Sequence, residues 1–376
     1  MSAAGPLSGI RVLEFAGMGP APFATMLLSD LGAEVLRIDR AGLGARPREV
    51  VARGRASLSL DLKAPESVEV CRSLFERSDV VIEGFRPGVM ERLGLGPDIA
   101  MNINPRLVYG RMTGWGQTGP LSRAAGHDIN YIAITGALHA LGPRDRPPTP
   151  PLNLVGDFGG GALYLVFGIV ASLYERERSG KGQIIDAAII DGASSMMAMS
   201  AWARADGFMG GRGENLLDGS AHYYRCYECS DGRYISVGSV EPHFYSMLRE
   251  KSGIARDDFA SQAPEFWEST GLAWERLFKT KTQAEWCAML EGTDACFAPV
   301  LDLADAPTHP QNAARGVFLE AFGVVQPAPA PRFSRTPGAI QGPPPAAGEN
   351  GARRAAAWGV PARILEALPG GGDAVG

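Results

Sequence analysis

His127 and Asp157 stand about thirty residues apart in glycine-rich text, Gly126-His127-Asp128-Ile129-Asn130-Tyr131 and Gly156-Asp157-Phe158-Gly159-Gly160-Gly161. An imidazole and a carboxylate facing one another across a small pocket can remove a proton from carbon on one side and return one on the other. A histidine alone says little, and His139, His222, His243 and His309 need no special role. What raises His127 is its company, Asp128 beside it and Asp157 at the mouth of an apolar helix. Asp157 also has an ordinary explanation, since an aspartate at a helix start caps free backbone N–H groups. Three glycines in a row exceed what a cap needs. They admit a ligand close to the backbone, and Gly159 and Gly160 are the expected N–H donors to a developing oxyanion. Residue types alone leave catalysis and capping both open.

The scaffold around this pair reads as an α/β fold. Ile10 to Phe15 predicts a buried strand, Ala21 to Leu31 a helix stopped by Gly32, and Glu34 to Ile38 a second strand. Further strands are expected at 57–60, 79–83, 107–112 and 183–190, with a helix over 65–77, and the alternation argues for a parallel sheet. Residues 129–138 and 158–178 read as helices, the second apolar enough to be buried. The Met-rich helix 193–203 reads as core packing. The segment 41–55 reads as an irregular basic loop. A Gly-rich linker is expected at 206–221, then a smaller α+β domain over 222–316 with a hairpin turning at Ser230-Asp231-Gly232. The large domain, 1–205, is completed by 317–376, a loosely structured return whose final residues are expected to be disordered.

Bulk properties narrow the class. The 376 residues suffice for two domains, and a net charge of −5 with mixed signs offers no basic stripe for nucleic acid. The most apolar stretch, 162–174, is short of the roughly 20 residues that span a bilayer, so no membrane is expected. The N-terminus lacks a secretory pattern and Asp373-Ala374-Val375-Gly376 is no peroxisomal address, which together point to the cytoplasm. Five scattered cysteines form no disulfide framework. Cys226 and Cys229 make one Cys-x-x-Cys without a second pair, so a strand is expected there and no metal site.

Gly17-x-Gly19 after a strand, with Asp39 ending the next, imitates a dinucleotide fingerprint. Pro22 occupies the third glycine position, and Arg37 and Arg40 flank the acid. A Rossmann-like unit using other contacts is the better reading.

Longer stretches carry a family resemblance: Gly5-Pro6-Leu7-Ser8-Gly9-Ile10-Arg11-Val12-Leu13-Glu14, Leu31-Gly32-Ala33-Glu34-Val35-Leu36-Arg37-Ile38, Gly84-Phe85-Arg86-Pro87-Gly88, Arg111-Met112-Thr113-Gly114-Trp115-Gly116-Gln117-Thr118-Gly119-Pro120 and Ser179-Gly180-Lys181-Gly182-Gln183. Over nearly its whole length the chain resembles the CaiB/BaiF group, the class III CoA-transferase superfamily, and within it the racemases of 2-methylacyl-CoA thioesters. The resemblance implies a Rossmann-like large domain that binds CoA thioesters and an obligate, interlocked homodimer. It implies a CoA thioester as substrate and no separate cofactor. Asp157 matches the residue that is the acyl-carrying nucleophile in the transferases. His127 is the racemase feature. Asp128 and Glu241 match acidic positions around that histidine, Glu241 arriving from the small domain, and Arg40, Arg86 and Arg92 match phosphate-binding arginines.

The chemistry this implies is 1,1-proton transfer at C2 through an enolate-like intermediate, with His127 and Asp157 as the two bases. The alternative is CoA transfer between carboxylic acids through an acyl-Asp157 intermediate. A difficulty attends the two-base scheme: unperturbed imidazole and carboxyl groups differ by about 2.6 pKa units. A helix N-terminus would lower Asp157 and an acidic neighbour would raise His127, widening the gap, so apolar burial is needed to narrow it. The acyl chain is not legible, with Met196, Met197 and Met199 a weak candidate surface.

Overall fold

The computed structural model describes residues 5–40, 46–254, 259 and 261–368. Among these, six strands form one sheet: β1 (Arg11–Phe15), β2 (Glu34–Arg40), β3 (Arg55–Leu60), β4 (Val80–Glu83), β5 (Val108–Thr113) and β6 (Ile184–Ala188). Their order is β3-β2-β1-β4-β5-β6 and every pairing is parallel, with Leu13 opposite Leu36 and Val81. This is the doubly wound order in which the chain reverses direction between β1 and β4, the place where ligands settle at the carboxyl edge.

Both faces are covered, as a parallel sheet requires. Leu13, Phe15, Leu36 and Val81 point to one core with Val70, Leu74 and Phe75 of the helix Pro65–Arg77. Val12, Val35, Val80 and Val108 point to the other, against Ala24 and Leu28 of the helix Pro20–Asp30. Leu165, Ile169 and Leu173 of the helix Tyr164–Ser179 complete that second layer. Each such fully buried aliphatic side chain contributes about 1.5–3 kcal/mol. The helical run Leu154–Ser179 totals 26 residues and is, by length and composition, long and apolar enough to cross a membrane, more than the stretch 162–174 suggested.

Internal contacts divide the chain into two units, one of Met1–Thr135, Leu152–Met196 and Arg315–Gly376, the other of Gly136–Pro151 and Met197–Ala314. The second carries an antiparallel sheet of β7 (Tyr224–Glu228), β8 (Tyr234–Gly238) and β9 (Phe297–Val300). The turn between β7 and β8 has Gly232 at φ 75°, the left-handed conformation that an Asp-Gly turn supplies. Cys226 faces outward and Cys229 inward, so the two thiols cannot share a ligand.

Several expectations need correction. The strand expected over 183–190 stops at Ala188, and Ile189–Met196 is helix. The linker expected at 206–221 is an ordered knot: Asp218 accepts from the N–H groups of Gly213, Glu214, Asn215 and Ser220, and from the Ser220 hydroxyl and Asn215 side-chain amide. Burial raises its pKa, but the Ser220 and Asn215 hydrogen bonds outweigh it and lower it. Arg212 donates to the carbonyls of Pro143 and Arg146. The return segment is not loose. It forms a hairpin, β10 (Phe318–Ala321) with β11 (Val324–Pro327), and sends Trp358 and Leu365 into the first core. Nor is 41–55 simply a basic loop. Its residues 41–45 lie outside the described residues, but Arg53 is buried on Asp30 at 2.5 Å and Arg55 on Glu14 at 3.2 Å. The final residues expected to be disordered lie outside the described residues.

Candidate active site

Asp157 sits in the first turn of an unusual element. Leu154–Leu163 is a π-helix, with N–H groups bonded five residues back, running straight into the α-helix Tyr164–Ser179. Wider turns of this kind are rare and concentrate at functional sites. The glycines make it possible, but not as oxyanion donors. Gly159 and Gly160 lie inside the element, where its own carbonyls take their N–H groups. A Cβ on Gly160 would stand 2.7 Å from the Ala193 nitrogen, and one on Gly192 would stand 1.9 Å from the Gly160 oxygen. These are packing glycines that let the π-helix lie against the helix Ile189–Met196. The oxyanion role expected of Gly159 and Gly160 does not hold.

The Asp157 carboxyl faces the loop that follows β1. Gly19 has φ 72°, and a Cβ there would lie 3.0 Å from Asp157 Oδ2, so backbone conformation and space both require glycine. The Gly17-x-Gly19 text is thus a wall of this site. Asp39 is buried against Arg37 at 3.0 Å and accepts from the Ser57 hydroxyl at 2.5 Å, which leaves it unavailable to a ribose. Phe158 stacks on Phe23 with centroids 4.0 Å apart, an apolar flank beside the carboxyl.

Asp128 begins the short helix Asp128–Ala133, with His127 as its N-cap residue. Its Oδ2 accepts the Asp157 N–H at 2.6 Å, while its Oδ1 is buried without a hydrogen-bond partner. A Cβ on Gly156 would fall 2.3 Å from Asp128 Oδ2, so the preceding glycine admits this contact. A second carboxylate beside it disfavours ionisation of Asp157. Burial first, then the Asp128 charge, pushes the Asp157 carboxyl up to about 6, with the His127 charge pulling weakly the other way. The rise is the narrowing by burial that the sequence reading required, with the Asp128 charge adding to it in place of a net lowering by the helix start.

His127 is exposed, its N–H bonded to Asn130 Oδ1 at 3.0 Å. Its Nδ1 lies 2.7 Å from the Gly126 carbonyl. A carbonyl can only accept, so this contact is a hydrogen bond in the tautomer with the proton on Nδ1, which leaves the Nε2 lone pair free as a base. The Gly126 carbonyl also accepts from the Tyr131 hydroxyl, a partner that sequence reasoning missed.

The arginines expected to bind phosphates are exposed. Arg40 ends β2, Arg86 follows β4, and Arg92 ends the short helix Val89–Arg92. Arg86 is near enough for its charge to act on the Tyr131 phenol. Glu241 lies in the other unit, exposed, as the N-cap residue of the helix Pro242–Lys251. Within the larger unit the structure brings together Gly19, His127, Asp128, Asp157, Tyr131 and Arg86.

A doubly wound parallel sheet with a His/Asp pair near the strand-order reversal and exposed arginines following its strands defines an α/β enzyme-type core. The chain belongs to CoA-transferase family III, whose model matches residues 7–351. It is 43% identical over 340 residues to the alpha-methylacyl-CoA racemase of Mus musculus, covering 88% of this chain and 87% of that protein. The Homo sapiens alpha-methylacyl-CoA racemase is 42% identical over the same shares. A solved CAIB/BAIF family protein from Brucella suis superposes with a TM-score of 0.82 at 29% identity, covering 94% of this chain and all of that one.

Proposed function

We propose that this protein is an alpha-methylacyl-CoA racemase that epimerises C2 of 2-methylacyl-CoA thioesters by 1,1-proton transfer, with His127 and Asp157 as the two bases. The observation that carries the reading is their convergence: an imidazole whose Nε2 is free, and a carboxyl lifted to about 6, into the range where imidazoles ordinarily titrate. The similarity to two racemases over most of the chain supports the substrate class.

In one direction neutral His127 takes the C2 proton of the (S)-epimer through Nε2. The C–H electron pair moves into the thioester as an enolate, and protonated Asp157 delivers its proton to the opposite face. The product enzyme holds imidazolium and carboxylate, which is the starting state for the reverse direction. Both directions therefore use a pair carrying one proton, and only its location differs. Raising Asp157 weakens the preference for carboxylate that an ordinary aspartate would impose on the pair. N–H groups in the first turns of Asp128–Ala133 and Leu154–Leu163 are the remaining donors for the thioester oxygen. Arg40, Arg86 and Arg92 would hold the CoA phosphates.

The same reading has two copies of the chain interlocked, with Glu241 brought to the histidine by that assembly. Phe167 and Tyr174 are 73% and 69% exposed on the helix Tyr164–Ser179, apolar surface that a second copy would cover. Five free thiols suit a reducing, cytoplasmic setting.

The test is to incubate a single (S)-2-methylacyl-CoA epimer with the protein and follow its stereochemical composition by chiral chromatography. A drift to a mixture is expected. An unchanged epimer, together with hydroxylamine trapping of an acyl group on Asp157, would replace this reading with CoA transfer.

A further inference from the structure

Tyr131 occupies a place the fold has been cut to fit. Its ring stands where a Cβ on Gly114 would be, 2.1 Å away, and where one on Gly126 would be, 2.7 Å away. Neither glycine has a positive φ, so backbone conformation does not ask for glycine at either position. Room for this ring does. The indole of Trp115 meets it edge-on at 4.7 Å between centroids, and the Tyr131 N–H returns to the His127 carbonyl at 3.2 Å. Ring and backbone are therefore held from several sides, and the hydroxyl is delivered to one acceptor, the Gly126 carbonyl.

That carbonyl is the one on which His127 Nδ1 rests at 2.7 Å. A peptide oxygen has two lone pairs and can take both donors. Burial and the Asp157 charge push the phenol pKa up, with Arg86 opposing, so the hydroxyl keeps its proton and remains a donor. A peptide plane fixed by one donor presents its second lone pair in a fixed direction.

We propose that Tyr131 is a positioning residue for the proton transfer: by clamping the Gly126 carbonyl it sets the His127 tautomer and aims Nε2 at the substrate carbon. Its catalytic effect rests on the two-base reading. Its effect on the tautomer does not. Small errors of aim at a reacting atom are expensive in rate, on the order of a hundredfold for about 1 Å.

The experiment uses the full-length protein with 15N-labelled histidine and Tyr131→Phe, which removes the hydroxyl and keeps the ring. His127→Gln identifies the resonances. In the unliganded wild type the His127 nitrogens are expected to report a proton on Nδ1, and in Tyr131→Phe a mixture of the two tautomers. With 2-methylacyl-CoA, kcat is expected to fall about tenfold or more while KM changes less than about twofold. Unchanged His127 nitrogen shifts in Tyr131→Phe overturn the proposal, and so does a kcat within about twofold of wild type. Because the nitrogen measurement needs no substrate, a tautomer change on substitution in a protein that epimerises nothing would indict the racemase reading and leave the clamp standing.

Discussion

The acids buried in and against the sheet and the half-buried Asp157 beside it are treated oppositely. On the β1–β3 side each has a cation. Glu14 faces Arg55 at 3.2 Å, Asp30 takes both edges of the Arg53 guanidinium at 2.5 and 3.1 Å, and Asp39 has Arg37 at 3.0 Å. Arg53 donates onward to Gln326 Oε1 at 2.7 Å and to the Pro327 carbonyl at 2.9 Å, tying β11 to the helix Pro20–Asp30 within the large unit. Glu83 of β4 likewise has Arg111 at 3.0 Å, whereas Asp157 is given another acid. Burial opposes ionisation in both places, raising Glu14 and Asp30 as well as Asp157. The first set answers that cost with a guanidinium and becomes structure. The second leaves it without a guanidinium, and the carboxyl rises to about 6. Uncompensated burial beside the loop that follows β1 is what sets the proposed site apart from the structural acids.

The comparison can be broken first on its structural side. Arg53→Met would strand Asp30 and Gln326 in the core, and we expect about 3–5 kcal/mol of lost stability in denaturant unfolding. A loss under about 1 kcal/mol would mean that the pair is not what holds β11 and the helix Pro20–Asp30 together.

Asp157→Asn tests the other side and should behave in reverse. Epimerisation should fall by about 10²–10⁴, while stability holds or rises by about 1 kcal/mol once solvent screening of a half-buried group is discounted. The sign follows from linkage. The folded-state pKa of about 6 lies above the unfolded value of 3.8, so the folded protein carries the cost of the carboxylate fully above pH 6 and not at all below 3.8. The gain from Asn should therefore appear in melts at about pH 7–8 and vanish near about pH 3.5. A variant destabilised at about pH 8 would place Asp157 among the structural acids.

Asp128→Asn sharpens the contrast. A one-proton pair loses its base when both groups are protonated, so kcat/KM should decline as pH falls through about 6. Removing the Asp128 charge lowers the Asp157 pKa, and this acid limb should move to lower pH. No movement would show that burial alone sets the basicity of Asp157.

The smallest effect belongs to the second unit, where His222 is buried with Nε2 3.0 Å from the Tyr245 hydroxyl and burial pulls its pKa down to about 4. Its unfolded value of 6.5 is higher, so this contribution is whole above pH 6.5 and is lost as pH falls toward 4. His222→Phe should flatten the acid side of the unit's stability curve in that window by about a degree or two of Tm per pH unit.

Much of this was legible from residues alone where the signal is local. Alternating strands and helices, the Asp231-Gly232 turn, the proline-led helix Pro242–Lys251 and the capping box of Gln283–Leu290 follow from neighbours in the chain. His127 and Asp157 were visible as types in unusual settings. What escaped depends on distant partners. That Asp128 meets Asp157 rather than the histidine spans 29 residues, and Arg53 reaches Gln326 across 273. Nothing local distinguishes a basic loop from two arginines about to be buried. The glycines misled for a related reason: three in a row suit an oxyanion site and a close helix contact equally, and only the neighbour at Ala193 decides. Gly114 and Gly126 gave no sign at all that their missing side chains make room for Tyr131.

The most direct test of two opposed bases is α-proton exchange in D2O from each separate 2-methylacyl-CoA epimer, with wild type, His127→Gln and Asp157→Asn. Bases on opposite faces require a crossed pattern. Wild type exchanges from both epimers, His127→Gln loses exchange from the (S)-epimer and keeps it from the (R)-epimer, and Asp157→Asn does the reverse. Undiminished exchange from both epimers in both variants would refute the two-base scheme.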